Sequence, residues 1–206
     1  NPADAVPAPL ISDVSRHSRV MGIRANTLAD YSVPDYHDQT AVVSLLAPTL
    51  PATRAVADYW RAADSDYTAC DTWTAELAHN PPEDDLLRYH GPGGFSVAFG
   101  KHVTRVHAAC RWSGFATIAP LQQVHAAAFR SIARALGGSR IILIPDYDPV
   151  EEIALYDGVS LDECIALLQQ RWGAPHPTTE IVTEDVEAYY RRKTPVWFVE
   201  SLNRDG

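Results

Sequence analysis

Residues 88–112 read RYHGPGGFSVAFGKHVTRVHAACRW, and the fold turns on how His90-Gly91-Pro92-Gly93-Gly94 is taken. A loop that cradles phosphate has glycines leading into a helix, whose N–H groups and dipole meet the anion. Here the glycines lead into Phe95, Val97 and Phe99 alternating with Ser96 and Ala98, the two-residue period of a strand. Neither GxGxxG nor GK[ST] is matched. The glycines therefore read as a turn. Gly100-Lys101-His102 is a second turn, and Val103 to Trp112 is the returning strand of a hairpin over about 95–112. Along it Thr104, Val106, Ala108, Cys110 and Trp112 share one face, expected to be buried, while Arg105, His107 and Arg111 share the other.

Away from the hairpin the period changes. Pro51 to Ala63 has Val56, Tyr59, Trp60 and Ala63 at helical spacing, and a second helix is expected from about Tyr67 to Ala78. Thr40 to Leu46 is apolar and fits either a helix or a strand. The clearest helix runs from Pro120 to Leu136, with Leu121, Val124, Ala128, Phe129, Ile132 and Leu136 in one stripe and Gly137-Gly138 as its stop. A buried strand follows at Arg140 to Pro145. Ser160-Leu161-Asp162-Glu163 is a capping box opening a helix that buries Cys164, Ile165, Leu168 and Trp172. A last helix begins at Thr183, with Glu184 and Asp185 at its positive end. Pro195 stops it, and Val196 to Val199 makes a final strand. Residues 21–28 form a first one.

This order implies an α+β chain, with a small, mostly antiparallel or mixed sheet packed by four to five helices. At 206 residues one domain is expected over residues 21–206, large enough to bury roughly 70% of its unfolded surface. The first twenty residues, NPADAVPAPLISDVSRHSRV, show no helical or strand period and read as a flexible leader or tether. Met21, the only methionine, is one place for the native start; a mature tether behind a removed signal is the other. The first implies a cytoplasmic protein, the second a secreted or periplasmic one.

Composition narrows the function. A net charge of −9 argues against a general nucleic-acid binder and suits a basic protein partner. No apolar run approaches the roughly 18–20 residues of a membrane span. Cys70, Cys110 and Cys164 are too far apart for CxxC chemistry and read as buried free thiols. Charge is also segregated. Residues 86–145 hold no Asp or Glu, but Arg88, Lys101, Arg105, Arg111, Arg130, Arg134 and Arg140. The flanks reverse this, with no Lys or Arg over 62–87 or 141–170. Folding the acidic flanks against the basic middle would neutralise both in surface pairs of small individual worth. Two surfaces of opposite sign are the functional alternative. The acidic one would carry Asp64, Asp66, Tyr67, Asp71 and Trp73, with Asp146, Tyr147, Asp148, Glu151, Glu152 and Tyr156. Aromatics supply binding energy at interfaces, and charge sets on-rate and partner choice.

The expected function is accordingly a non-enzymatic protein-binding domain that engages a basic partner, of the general character of bacterial toxin-neutralising immunity proteins. No catalytic motif, metal site or cofactor is implied, and the chain leans away from an enzyme. Tyr89-His90-Gly91 resembles the His-Gly element of the ADP-ribosyltransferase family, but Pro92 follows where that family has Thr or Ser, and no tyrosine lies between Tyr89 and Tyr147. Asp146 and Asp148 end a strand, where carboxylates bind metal, although turn chemistry explains Asp and Pro there equally well. The alternative function is an enzyme or sensor for a nucleotide or sugar phosphate. It would hold its ligand with His90, Arg105, His107 and Arg111.

Overall fold

The hairpin at 95–112 is the middle of a larger sheet. The computed structural model describes residues 24–31, 33, 35–78, 86–145, 154, 157–178, 185–191 and 195–202. Its strands are β1 (Arg24–Asp30), β2 (Thr74–Ala78), β3 (Leu86–Gly91), β4 (Phe95–Phe99), β5 (Val103–Arg111), β6 (Arg140–Pro145), β7 (His176–Pro177) and β8 (Phe198–Ser201). They form one sheet in the order β2-β3-β4-β5-β1-β6-β8-β7, antiparallel except for β7 beside β8. The helices are α1 (Gln39–Leu46), α2 (Leu50–Ala63), α3 (Trp112–Thr117), α4 (Ala119–Ala135), α5 (Leu161–Trp172) and α6 (Val186–Arg191), with a 3-10 turn at Ala47–Thr49. The expected α+β class is what the chain adopts.

Helices lie on both sides. On one side Phe95, Val97, Val106 and Ala108 of the sheet pack with Val56 of α2 and Phe129 and Ile132 of α4. Phe95 meets Phe129 edge to face, with ring centroids 5.5 Å apart. On the other side α5 sets Leu161, Cys164 and Leu168 against Leu28, Ile142 and Ile144. Strand β6 is thus buried on both faces, which is why Ile141-Ile142-Leu143-Ile144 is an unbroken apolar run. The helical run Gln39–Ala63 has the length and mean hydropathy, 1.2, of a membrane span by composition alone. Its residues Val42, Leu46, Val56 and Ala57 are nevertheless part of the core.

The glycines form a three-residue turn, Pro92–Gly94, joining β3 to β4, so they close one hairpin and lead directly into the next. Gly93 has φ +79, and a Cβ there would lie 2.7 Å from the carbonyl oxygen of Thr53 in α2. A Cβ on Gly91 would lie 2.7 Å from the Trp73 ring. The turn is glycine-rich because two neighbours press on its backbone.

Several expectations change. The helix expected over 67–78 is absent: 67–73 is irregular, and Thr74–Ala78 is the edge strand β2. Pairing with β3, in the register Thr74 to His90 and Glu76 to Arg88, decides this against local propensity. Trp112 opens α3 and does not end β5. The ambiguous segment near Thr40 is helix α1, with Asp38 accepting from the Ala41 N–H at its start. The capping box at Ser160 and Glu163 is formed. Of the strand expected at 21–28, residues 24–28 belong to β1 and residues 21–23 lie outside the described residues, while the final strand lies at Phe198–Ser201. In the last helix Asp185 accepts from the N–H groups of Glu187 and Ala188, while Thr183 and Glu184 lie outside the described residues. So do residues 1–20 of the expected leader.

Candidate functional site

Strand alternation places Arg88 and His90 of β3, Ser96 and Ala98 of β4, and Arg105 and His107 of β5 on the sheet face turned away from α2 and α4. Register then gathers them. His90 stands opposite Ser96, and Ser96 opposite His107; Arg88 stands opposite Ala98, and Ala98 opposite Arg105. Opposed Cβ atoms in such pairs lie about 5 Å apart. The arrangement is a trough whose floor is the small pair Ser96 and Ala98. Each wall carries one guanidinium and one imidazole, in register across the floor.

Neighbouring strands extend both rows. Asn26 of β1 is opposite His107 and buried. Glu76 of β2 is opposite Arg88 and meets His90, Oε2 to Nε2, at 3.0 Å. Arg111 pairs with Arg24 at one end of the same face, where Arg24 Nη1 donates to the Ala109 carbonyl at 2.6 Å. Arg88, His90, Ser96, Arg105 and His107 are all half-buried. The Nε of Arg88 is buried and makes no hydrogen bond. An unsatisfied buried donor of this kind costs about 1–3 kcal/mol, which an anionic acceptor would relieve.

Of the residues predicted for an anion site, His90, Arg105 and His107 come together, with Arg111 farther along the same face. Arg88, Ser96, Ala98 and Glu76 were not foreseen. Their signal is present in the sequence: Arg88-Tyr89-His90 and Arg105-Val106-His107 repeat Arg-x-His on two strands flanking one that bears Ser-x-Ala. It is visible only once 86–91 is known to be a strand.

Of the residues predicted for an acidic docking surface, five lie among the described residues. Asp64, Asp66 and Asp71 are exposed in the segment after α2, where Arg54 Nη2 donates to the Asp71 carbonyl at 2.9 Å. Tyr67 is half-buried, and burial raises its pKa. Trp73 is in the core, 2% exposed, its Nε1 donating to Thr49 Oγ1 at 2.9 Å, so its ring is not a surface anchor. Asp146, Tyr147, Asp148, Glu151, Glu152 and Tyr156 lie outside the described residues.

Other reactive groups sit away from the trough. Cys110 faces the core opposite to His107, and burial pushes its thiol pKa far up. Burial lifts Cys164 to about 11. Cys70, expected to be buried in a helix, is exposed in the irregular segment. His125 in α4 is fully buried between Trp60 and Phe95, with Nδ1 2.8 Å from the Leu121 carbonyl and Nε2 without a partner. Burial lowers its pKa to about 4. Among the described residues no three His, Cys, Asp or Glu side chains come together as a metal site. Comparison with protein-family models, with curated proteins and with solved structures finds no match to this chain.

Proposed function

We propose that this chain binds an anionic small molecule, of the nucleotide or sugar phosphate class, in the trough over β4. The supporting observation is the register that sets Arg88 across from Arg105 and His90 across from His107, with only Ser96 and Ala98 between them. Two planar guanidinium forks on opposite walls suit the several oxygens of a phosphate. The unsatisfied Arg88 Nε gives the anion a donor whose desolvation is already part of the fold.

A thermal-shift screen with inorganic phosphate, nucleoside monophosphates and hexose phosphates tests the reading. A ligand at 100 times its Kd adds about 2.7 kcal/mol, a rise of several degrees in Tm. Substituting Arg88→Ala together with Arg105→Ala should abolish the shift. If no phosphate compound moves the wild-type transition, the proposal fails.

A second reading keeps the acidic docking function, in which the chain engages a basic protein. It is favoured by one observation: Asp64, Asp66 and Asp71 are exposed within eight residues of each other. Its test is association with a basic protein encoded beside this chain, compared at low and high salt. Affinity that does not fall with salt argues against electrostatic docking.

A further inference from the structure

The geometry of α2 against α4 points to an acid latch: protonating His125 parts the last turns of α2 from α4 while the sheet and α5 stay packed. A carbonyl oxygen only accepts, so the 2.8 Å contact with Leu121 puts the proton of the neutral ring on Nδ1. Nε2 is then a bare lone pair, buried and without a partner. An apolar wall tolerates that lone pair at modest cost. It does not tolerate a charged N–H, which must be hydrated or paired. Burial holds the folded pKa near 4, and the Leu121 carbonyl is the smaller, opposing influence.

Two walls enclose the ring, and they are not equally fixed. Phe95 of β4 is 1% exposed, lies between the paired strands β3 and β5, and is braced edge to face by Phe129. Trp60, its ring centroid 5.9 Å from that of His125, is half-buried and sits in the last turn of α2. The other end of α2 is anchored, with Thr53 against Gly93 and Thr49 accepting from Trp73 Nε1. Trp60 is therefore the wall that gives, and its displacement admits water to the imidazolium.

Among the described residues no carboxylate in this interface offers the charged ring a partner. Besides His125, α4 carries charge only at Arg134 and at Arg130, which pairs with Glu200; β4 and α3 have no titratable side chain. On α2, Asp58 meets Arg61 at 2.8 Å on the surface, and Arg54 is hydrogen-bonded to the Asp71 carbonyl. Burial raises the pKa of Tyr59, of Cys110 near it and of Tyr67, so all three stay neutral in acid. Asp64 and Asp66 follow α2 in the exposed segment. The open state takes up a proton with the ordinary histidine pKa of 6.5, the closed state only near 4, so opening is favoured as pH falls between those values.

Hydrogen exchange read by mass spectrometry at about pH 7 and about pH 4.5 tests this, with labelling times corrected for the chemical exchange rate. In the wild type, protection over residues 57–63 of α2 should fall on the order of 10²-fold at the lower pH, and in β6 and α5 by far less. His125→Leu and His125→Gln should each abolish that fall, and whichever folds serves as the control. Unchanged protection in α2 at the lower pH overturns the latch. An equal fall in β6 and α5, the mark of global acid unfolding, overturns it too, as does a fall that persists without His125.

Discussion

On one face of β5 stand Thr104, Val106, Ala108 and Cys110, all buried; on the other, Arg105, His107 and Arg111 remain half-buried. The same nine residues therefore serve a core and a candidate site, on the alternating faces of one pleated strand. Val97 and Ala98 on β4 make the same contrast between adjacent positions. Both are buried, at 0% and 3% exposure, yet Val97 meets the α2 and α4 side and Ala98 lies between two arginines. Burial alone does not say what a position is for. The chemistry of the groups that bury it does.

The contrast is broken most forcefully by Val97→Asp, which puts an unpaired carboxylate in an apolar core. The cost should exceed about 4 kcal/mol and remove the cooperative urea transition. Survival of that transition would show that β4 is not packed as described. Phe129→Ala, on the same side, should cost about 3–5 kcal/mol by calorimetry or urea, through the cavity left beside Phe95 and Phe115.

Third is pH. His125 has its folded pKa near 4 against 6.5 when free, so the native state binds fewer protons than the unfolded state between those values. Stability is whole above about pH 6.5 and falls as pH drops toward 4. Two and a half units amount to about 3 kcal/mol. His125→Leu should flatten that slope relative to wild type, and an unchanged slope would place the acid sensitivity elsewhere.

The smallest stability effects belong to the trough. Ala98→Asp places a carboxylate between Arg88 and Arg105, whose charges offset part of the cost of burying it, so it should destabilise less than Val97→Asp, while phosphate no longer raises Tm. Arg88→Leu removes an unsatisfied donor and should be neutral or stabilising by up to about 1 kcal/mol, again with ligand response lost. A loss of stability as large as that of Val97→Asp in either would show the trough to be core after all.

Much of the architecture was legible because it is written locally. The 3.6-residue stripe from Leu121 to Leu136, the Ser160 box and the alternation of Phe95, Val97 and Phe99 each need only neighbours in sequence. Strands β2 and β3 were not legible, since each is stabilised mainly by pairing with another strand; Trp73 and Gly91 meet only after the chain has folded back. The candidate site was half visible for the same reason. Arg105, His107 and Arg111 declared a polar strand face, but Arg88 and Ser96 join them only through the register of three strands.

That register hangs on the turn Pro92–Gly94, whose backbone is wedged against Thr53 and whose entrance is covered by Trp73. It has a consequence for how this protein can vary. Substitution can retune either face of β4 alone, since odd and even positions answer to different neighbours. A gain or loss of one residue at the turn is another matter: it would send Val97 and Phe99 into the trough and Ser96 and Ala98 into the core together. Length at this turn is a parity bit for the molecule, and related chains should tolerate point changes around it far better than single-residue insertions.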